Sequence, residues 1–413
     1  MTKTSSSSRF GLSQAAPAAL WGLVLVLPAF HAAEAQEWRL EPEIRVGGEY
    51  DDNARLRANE ADIFEIDGYI VEGSAGIAYQ TQRSLFRITP TLRSRVYDEE
   101  IDVDSDDQFL DLEWTHETLK SQFALNGNYS RESARTAERA DADIDVDDPD
   151  DIPIDETGVV FGNERRERFR ISPKWRYEFT ERMSFDTSFA YTDTSYEDNL
   201  LSPLSDYTDT RVNAGLGWQF SPRTRGYIAA TARRFENELN TDVDGVGFGI
   251  GIESDISQTT RFRAEVGYED SEQDGTGVSE SNFVGDVNLV RKLETVTLLA
   301  QYRRDVTPGG SGRLTAKDSL NLSLKKQFTE RVSGGLGVRA YQTDGLGDQA
   351  VTFEERDYAE VFVEFGVALS RAFSLEADYS YARVDESGTE GSADSNNIIL
   401  WLVYRPTPIV SSR

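Results

Sequence analysis

The sequence predicts an all-β fold, a transmembrane antiparallel up-and-down β-barrel of about 18 strands with long acidic extracellular loops. Two observations predict this fold. Apolar and polar residues alternate with a period of two along most of the chain, and short polar connections alternate with long acidic ones. The composition agrees, because the 413 residues carry a net charge of −30 and only 38% of them are hydrophobic.

The composition excludes several classes of function. The chain has no cysteine, so a disulfide framework, thiol chemistry, an iron–sulfur cluster and a cysteine zinc site are all ruled out. The strongly negative charge argues against nucleic-acid binding, which needs a basic surface.

The N-terminus indicates the compartment. Lys3 and Arg9 precede an apolar run that ends near Phe30, and Ala33-Glu34-Ala35 follows as a small-residue cleavage motif. The apolar run is too short to span a bilayer. We therefore expect residues 1–35 to be a cleaved signal peptide and residues 36–413 to form the barrel of an exported outer-membrane protein of a Gram-negative envelope.

The strands are read from alternation between two faces. Near residue 170, for example, Phe169 and Ile171 alternate with Arg168 and Arg170, so that one face is apolar and the other strongly polar. The same pattern predicts strands near 41–50, 67–79, 84–97, 108–117, 120–134, 165–178, 183–193, 209–220, 224–235, 243–254, 260–269, 281–291, 295–304, 318–328, 331–341, 357–369, 372–382 and 396–405.

The connections between these strands also alternate. Short turns such as 179–182, 220–223 and 328–331 resemble one another, whereas loops such as 135–164 and 305–317 are long and polar. Short periplasmic turns and long extracellular loops are typical of outer-membrane barrels. An even number of strands then places both termini in the periplasm.

A membrane setting explains the apolar faces. An open sheet of this length would leave two unpaired edges and would need something to cover its apolar side, whereas a closed barrel in lipid needs neither. The alternative is a soluble β-solenoid, a pair of sandwiches or a propeller. Aromatic residues at the ends of the apolar faces favour the barrel, because they resemble interfacial girdles: Tyr50, Tyr79, Trp114, Tyr129, Trp175, Tyr177, Tyr191, Trp218, Tyr268, Tyr302, Tyr379 and Tyr404.

A family resemblance enters at residues 41–56, which read EPEIRVGGEYDDNARL. This segment resembles the opening of β-barrel porin-2 proteins and of outer-membrane barrels associated with exopolysaccharide and PEP-CTERM systems. The resemblance implies an outer-membrane barrel linked to polysaccharide export or secretion, and it supplies no catalytic residues. The chain departs from many such barrels because residues 406–413 follow its last apolar strand.

The inward faces supply the candidate functional residues. A charge facing the bilayer midplane would cost about 2–4 kcal/mol, so the charged face of each strand is expected to line the lumen. This predicts either a polar lining that only fills space or a pore with opposed charge patches that selects solutes by sign. The candidates are Arg87, Arg93, Arg95, Arg168, Arg170, Lys174, Arg176, Arg261, Arg263, Asp111, Glu113, Glu360 and Glu364.

Other chemistry has weaker signals. The acidic loop contains Asp143, Asp145, Asp147 and Asp148, which predict either a solvated loop or a weak Ca²⁺ or Mg²⁺ site that lacks the EF-hand glycine. After signal cleavage His116 is the one histidine, and the sequence places no serine beside it. We expect no enzyme and no cofactor.

Two functions remain open from the sequence. One is a porin-like channel or export conduit, with a saccharide or exopolysaccharide as a candidate substrate. The other is a closed structural or interaction barrel for envelope assembly or surface attachment, without transport. In both cases the expected partners are outer-membrane lipid, lipopolysaccharide and the barrel-assembly machinery, and no nucleic acid.

Overall fold

The computed structural model describes residues 36–59, 63–98, 103–137, 164–197, 204–238, 242–273, 279–310, 312–346, 355–386 and 391–412. The proposed signal peptide, residues 1–35, therefore lies outside the described residues. Nineteen strands form one sheet: β1 Glu37–Asp51, β2 Ile66–Gln80, β3 Ser84–Tyr97, β4 Ser105–Glu117, β5 Ser121–Ser133, β6 Arg165–Thr180, β7 Met183–Tyr196, β8 Tyr207–Ser221, β9 Thr224–Asn237, β10 Val243–Ser257, β11 Thr260–Gln273, β12 Ser279–Lys292, β13 Val296–Pro308, β14 Leu314–Thr329, β15 Val332–Gly345, β16 Arg356–Ala368, β17 Phe373–Glu386, β18 Ser392–Tyr404 and β19 Ile409–Ser412.

The sheet closes on itself. Each of the strands β1 to β17 pairs antiparallel with the next strand of the chain, and β18 pairs with β1, from Ile44 opposite Tyr404 to Asp51 opposite Asn397. The prediction of a closed antiparallel barrel of 18 strands is confirmed. Within the described residues no helix is long and apolar enough to cross a membrane.

The short strand β19 extends the last long strand. After the break at 405–408, which contains Pro406 and Pro408, residues Ile409 to Ser412 resume pairing with Leu40 to Glu37 of β1. Proline has no backbone N–H to donate, so the break falls where the ladder could not continue unchanged. The C-terminal extension noticed in the sequence therefore continues the seam of the barrel along β1.

Short turns join the strands at one end of the barrel, called here the short-turn end. In several of them a Thr or Ser hydroxyl accepts a hydrogen bond from the backbone N–H three residues later, at 3.0–3.1 Å. Such side-chain turns satisfy a backbone donor that has no ladder partner. This explains the repeated sequence of these turns, whose accepting residues are Thr81, Thr118, Thr180, Thr329 and Ser370.

The outer surface is apolar, as the alternation predicts. Leu92, Tyr268 and Leu400 are at least 60% exposed, and each lies on the outward face of its strand. Aromatic side chains pack in pairs toward the two ends of the barrel. Trp38 with Tyr79 and Phe373 with Tyr404 lie near the short-turn end. A barrel with this exterior can bury its outer face in lipid without any covering element.

At the opposite end, called here the long-loop end, several strands run three or four residues further than predicted, and one connection forms a separate feature. Residues 305–317 were expected to be a loop, but β13 continues to Pro308 and β14 begins at Leu314. The β12–β13 ladder ends at Gly285 opposite Arg304, while the β13–β14 ladder continues to Pro308 opposite Leu314. Since β13 leaves β12 but stays paired with β14, the two strands bend away from the wall together as a hairpin.

Candidate functional site

The charged faces of the strands line the lumen. On β6, for example, Arg168 is buried in the barrel while its neighbour Phe169 is 44% exposed on the outside. The same alternation puts each of the candidate residues on the inward face of its strand: Arg87, Arg93 and Arg95 on β3, Asp111 and Glu113 on β4, Arg168, Arg170, Lys174 and Arg176 on β6, Arg261 and Arg263 on β11, and Glu360 and Glu364 on β16.

The arginines of β3 are joined to carboxylates of neighbouring strands. Arg93 Nε lies 2.6 Å from Glu72 Oε2, and Arg87 Nη1 lies 3.4 Å from Glu41 Oε2. Arg45 lies 3.7 Å from Glu72 as well, so this carboxylate sits between two guanidinium groups. Along this wall, opposite charges alternate from strand to strand instead of forming a band of a single sign.

Above these pairs lies a buried ionic cluster at the long-loop end. Arg95 Nη1 contacts Asp107 Oδ2 at 2.6 Å, and both side chains are almost fully buried. The hydroxyl of Tyr97 donates to Glu49 Oε2 at 2.6 Å and accepts a hydrogen bond from Arg135 Nη2 at 2.9 Å. Arg135 belongs to the short helix α1, Ala134–Ala137, which therefore reaches the lumen from the loop after β5.

On β6 the basic residues differ in burial from one end of the strand to the other. Arg168 is 8% exposed near the long-loop end, whereas Lys174 is exposed near the short-turn end. Arg176 Nε lies 2.5 Å from Asp186 Oδ1 of β7. The predicted acidic residues of β4 lie opposite polar partners, since Asn128 donates to Asp111 at 2.6 Å and Glu113 faces Arg87 in the register.

The opposite wall carries the acidic residues of β16. Glu360 is 2% exposed and lies opposite Arg339 of β15, and Glu364 Oε2 lies 3.9 Å from Lys325 Nζ. Phe362 lies between these two glutamates and is itself buried inside the barrel, with its ring against Gly337. Aromatic side chains in the lumen were not expected, because alternation with charged neighbours was the signal used to assign faces.

A second lumen aromatic was also missed. Trp401 of β18 is buried, its indole N–H donates to Asp378 Oδ2 at 3.1 Å, and the guanidinium of Arg45 lies 4.4 Å from its ring centre. Its sequence neighbours Leu400 and Leu402 face outward, so β18 is apolar on both faces and alternation gave no indication of which residue faces inward.

The hairpin formed by the ends of β13 and β14 crosses into the lumen and docks on the wall formed by β8 and β9. Arg211 Nη1 of β8 lies 3.0 Å from Asp305 Oδ2, and Arg233 Nη1 of β9 donates to the carbonyl oxygen of Val306 at 2.9 Å. Val306 packs in a buried cluster with Phe235 and Leu314. The hairpin therefore narrows the long-loop end of the barrel.

Glycine makes the tip of this hairpin possible. Gly312 has a φ of +71°, and a Cβ placed on it would lie 2.7 Å from the Cβ of Ser205. Both the positive φ and the close approach exclude most other residues. The backbone N–H of Ser205 donates to the carbonyl oxygen of Gly310 at 2.9 Å, which fixes the tip to the segment before β8.

Two cavities open toward the short-turn end. The larger has a volume of about 800 Å³ and extends from Arg405 near the turns to Arg95 and Arg135 beneath the long-loop end. Its lining includes seven basic and seven acidic residues. The second cavity, of about 620 Å³, lies against β8 to β12.

The remaining candidates from the sequence are the acidic loop and His116. The acidic loop with Asp143, Asp145, Asp147 and Asp148 lies outside the described residues, and among the described residues no group of three or more His, Asp or Glu side chains is arranged to hold a metal ion. The sequence places no serine beside His116, but the structure does: Ser84 Oγ is 2.7 Å from His116 Nδ1. The two residues face each other across β3 and β4, a contact between strands that alternation within one strand cannot show.

Comparisons give structural neighbours only. No family model and no curated protein matches this sequence. Among solved structures, the chain is similar to OccAB4 of Acinetobacter baumannii, with 10% identity and a TM-score of 0.47 over 91% of this chain and 98% of that one. It is also similar to a BenF-like porin from Pseudomonas fluorescens Pf-5, with 8% identity and a TM-score of 0.46 over 89% and 99%. Likeness at this level carries no argument about substrate or mechanism.

Proposed function

We propose that the protein is an outer-membrane channel through which small polar solutes diffuse passively. The observation that carries the proposal is the cavity of about 800 Å³ inside the barrel, which is lined by ionisable side chains and opens at the short-turn end. Barrels of 16–18 strands commonly hold an aqueous channel, and a charged lining keeps such a channel filled with water.

The exterior supports an outer-membrane location. Its apolar face and terminal aromatic pairs suit a bilayer, and the partners would then be lipid and lipopolysaccharide, with assembly by the barrel-assembly machinery. In this setting the short-turn end faces the periplasm and the long acidic loops face the outside. A cleaved signal peptide at residues 1–35 would deliver the chain to this compartment.

The geometry favours small solutes, including single sugars, over a polymer. The β13–β14 hairpin is bound to β8 and β9 through Arg211 and Arg233, so it narrows the long-loop end. A polysaccharide that passes through the lumen would have to keep the hairpin displaced until the whole polymer had crossed. The link to exopolysaccharide export that the family resemblance implies therefore has no support in this geometry.

Cysteine chemistry offers a direct test, since the chain has no cysteine of its own. We expect the purified protein to give stepwise conductance in planar bilayers. Glu364→Cys places a thiol in the larger cavity, and an anionic methanethiosulfonate added at the short-turn end should reduce its current. Val361→Cys is the matched control, because Val361 lies on the same strand, faces outward and does not line the cavity.

One observation favours the closed structural barrel as a second candidate. The hairpin is held at the long-loop end by the Arg211–Asp305 ion pair and by the hydrogen bond from the buried Arg233 to the carbonyl oxygen of Val306, as a permanent plug would require. A correctly folded protein that gives no conductance at any voltage would overturn the channel proposal and support the closed barrel. The reagent could also reduce the current equally in the cavity variant and in the outward-facing control. That result would show that ions do not pass through this lumen.

A further inference from the structure

The sequence YDDN at residues 50–53 belongs to the segment that carries the family resemblance, and it lies where β1 ends. The residues that follow turn into the barrel, and residues 53–58 are called here the inner loop. Leu56 is 7% exposed and packs in a buried cluster with Tyr341 and Tyr358, which lie on the inward faces of β15 and β16. A connection that ran outward into solvent would not make these contacts.

The inner loop also packs against the wall on the other side of the seam between β18 and β1. Ala54 is fully buried with Ile66 of β2 and Tyr97 of β3, and its backbone N–H donates to the carbonyl oxygen of Phe64 at 2.8 Å. The inner loop therefore covers the inside of the barrel from β15 through the seam to β3. Since the hairpin of β13 and β14 docks on β8 and β9, the long-loop end is narrowed from two parts of the wall.

Asn53 holds the inner loop in this place through its side-chain amide. Its Nδ2 donates to the carbonyl oxygens of Arg57 at 3.0 Å and of Asp394 at 2.8 Å, and its Oδ1 accepts from the backbone N–H of Arg57 at 3.1 Å. The amide thus joins the two ends of the inner loop to each other and to the segment that begins β18. Asn53 is 3% exposed, so water has little access to replace these bonds.

The two aspartates of the motif tie the same point of the chain to β18. Asp51 Oδ1 accepts hydrogen bonds from the hydroxyl of Ser395 at 2.7 Å and from the backbone N–H of Asn53 at 2.9 Å. The carboxylate of Asp52 accepts from the backbone and from the side-chain N–H of Asn396, each at 2.7 Å. These bonds fix the place where the chain leaves β1, so the motif itself sets the direction of the inner loop.

The backbone geometry of the inner loop shows that its surroundings hold it. Leu56 has a φ of +48°, in the left-handed region that residues with a branched apolar side chain seldom adopt. Its backbone N–H donates to the carbonyl oxygen of Asn53 at 3.0 Å. Such a conformation persists where the surrounding structure determines it, and here the surroundings are Asn53 and the apolar cluster around Leu56.

We propose that Asn53 is a positioning residue, which holds the inner loop inside the lumen, and that the inner loop sets the bore of the channel at its long-loop end. The inference rests on the proposed function and deepens it, because it names an element that limits the size of the solutes that pass. It also gives the YDDN motif a task in this chain, namely to turn the connection after β1 into the barrel.

The test compares Asn53→Asp with a matched control. An aspartate at position 53 has no N–H to donate and places an oxygen against the carbonyl oxygens of Arg57 and Asp394, so the inner loop should be released. Asn59→Asp makes the same chemical change at an exposed position of the same connection. We expect Asn53→Asp to show a larger single-channel conductance and to admit larger polyethylene glycols from the long-loop side, whereas Asn59→Asp should behave as the parent.

A second measurement does not need a current. Ala54→Cys places a single thiol at a buried position of the inner loop, because the chain has no cysteine of its own. Its reaction with a water-soluble maleimide should be slow in the folded barrel and about tenfold faster when Asn53→Asp is added, since loss of buried hydrogen bonds raises the population of the open loop. Addition of Asn59→Asp should leave the rate unchanged.

Leu56→Gly tests the bore by a second route, should Asn53→Asp not fold. Glycine suits the positive φ at this position, so the backbone can stay in place while the side chain that fills this part of the lumen is removed. The conductance of Leu56→Gly should exceed that of the parent. An unchanged conductance would overturn the inference.

The outcomes separate the two proposals. Faster labelling together with a larger conductance in Asn53→Asp, and in neither case in Asn59→Asp, supports the inference. Unchanged labelling would show that Asn53 does not position the loop, faster labelling with unchanged conductance would show that the loop does not set the bore, and equal effects of both substitutions would assign them to charge; each of these overturns it. If no variant conducts, the channel proposal fails, while the labelling still decides whether Asn53 holds the inner loop.

Discussion

At the scale of single residues, the lumen is organised by ion pairs more than by a band of one charge. Arg93 and Arg95, which the sequence suggests as lumen-lining residues, each lie 2.6 Å from a carboxylate. A guanidinium held in this way has less capacity to attract an anion from solution. The same holds for Arg176, Arg225 and Arg261 of the smaller cavity, each of which has a carboxylate within ion-pair distance.

Among these ion pairs, substitution of Asp107 should lower the free energy of unfolding most. Its side chain is fully buried, and it binds Arg95 at 2.6 Å and accepts from the backbone N–H of Ser133 at 3.2 Å. Asp107→Asn leaves a buried guanidinium short of a counter-charge, so we expect the free energy of unfolding to fall by about 3–5 kcal/mol. Urea unfolding in detergent, followed by tryptophan fluorescence, measures this.

The control for that variant lies on the same strand. Asp111→Asn removes the same charge from an exposed position, where Asp111 accepts a hydrogen bond from the amide of Asn128. It should change the unfolding free energy by less than about 1 kcal/mol. Similar losses in the two variants would mean that burial of the Arg95–Asp107 pair does not stabilise the barrel.

At the scale of elements, the inward hairpin of β13 and β14 is an addition to the barrel, because its residues lie beyond the ladder that joins β12 to β13. It leaves the β12 ladder at Gly285 and is held by Arg211 and Arg233. Replacing both arginines by Gln removes the cations that join Asp209 and Glu269 of the wall to Asp305 of the hairpin. Loss of these ion pairs should loosen the hairpin and widen the long-loop end.

We expect the Arg211→Gln/Arg233→Gln variant to show a larger single-channel conductance and more current noise than the parent. Arg234→Gln is the control, because Arg234 follows Arg233 on β9 but is exposed and pairs with Glu236. An unchanged conductance in the double variant, with the barrel folded, would show that the hairpin is not the narrowest part of the path or is held by its apolar contacts alone.

At the scale of the whole molecule, the two ends of the barrel differ in their connections, and this difference predicts its orientation. A protease recognition site inserted at Gly391, between β17 and β18, should be cut on intact cells, because the long-loop end faces outward in the proposed topology. The same site inserted at Pro222, in the turn between β8 and β9, should be protected until the outer membrane is permeabilised. Immunoblotting of both variants with and without permeabilisation measures this, and the reverse pattern would invert the orientation.

The sequence by itself determined the barrel: its antiparallel class, its 18 long strands and the face that each strand turns to the lumen. These features are local, because alternation with period two and turn residues such as Thr180 and Thr329 act within a few positions of the chain. The same locality explains the errors. Trp401 lies on a strand that is apolar on both faces, and the hairpin at 305–317 looks like any polar loop.

Only the tertiary structure decided which charges meet. Whether an arginine is neutralised depends on its neighbours in the ladder and on the opposite wall, as when Arg211 meets Asp305, 94 positions away. The Arg95–Asp107 pair depends on the register between the neighbouring strands β3 and β4, whereas the inward bend of the hairpin and the two cavities follow from closure between β1 and β18 and from contacts across the lumen. Alternation assigns a side chain to a face, but the electrostatics of the lumen depend on distances between strands that no pattern within one strand contains.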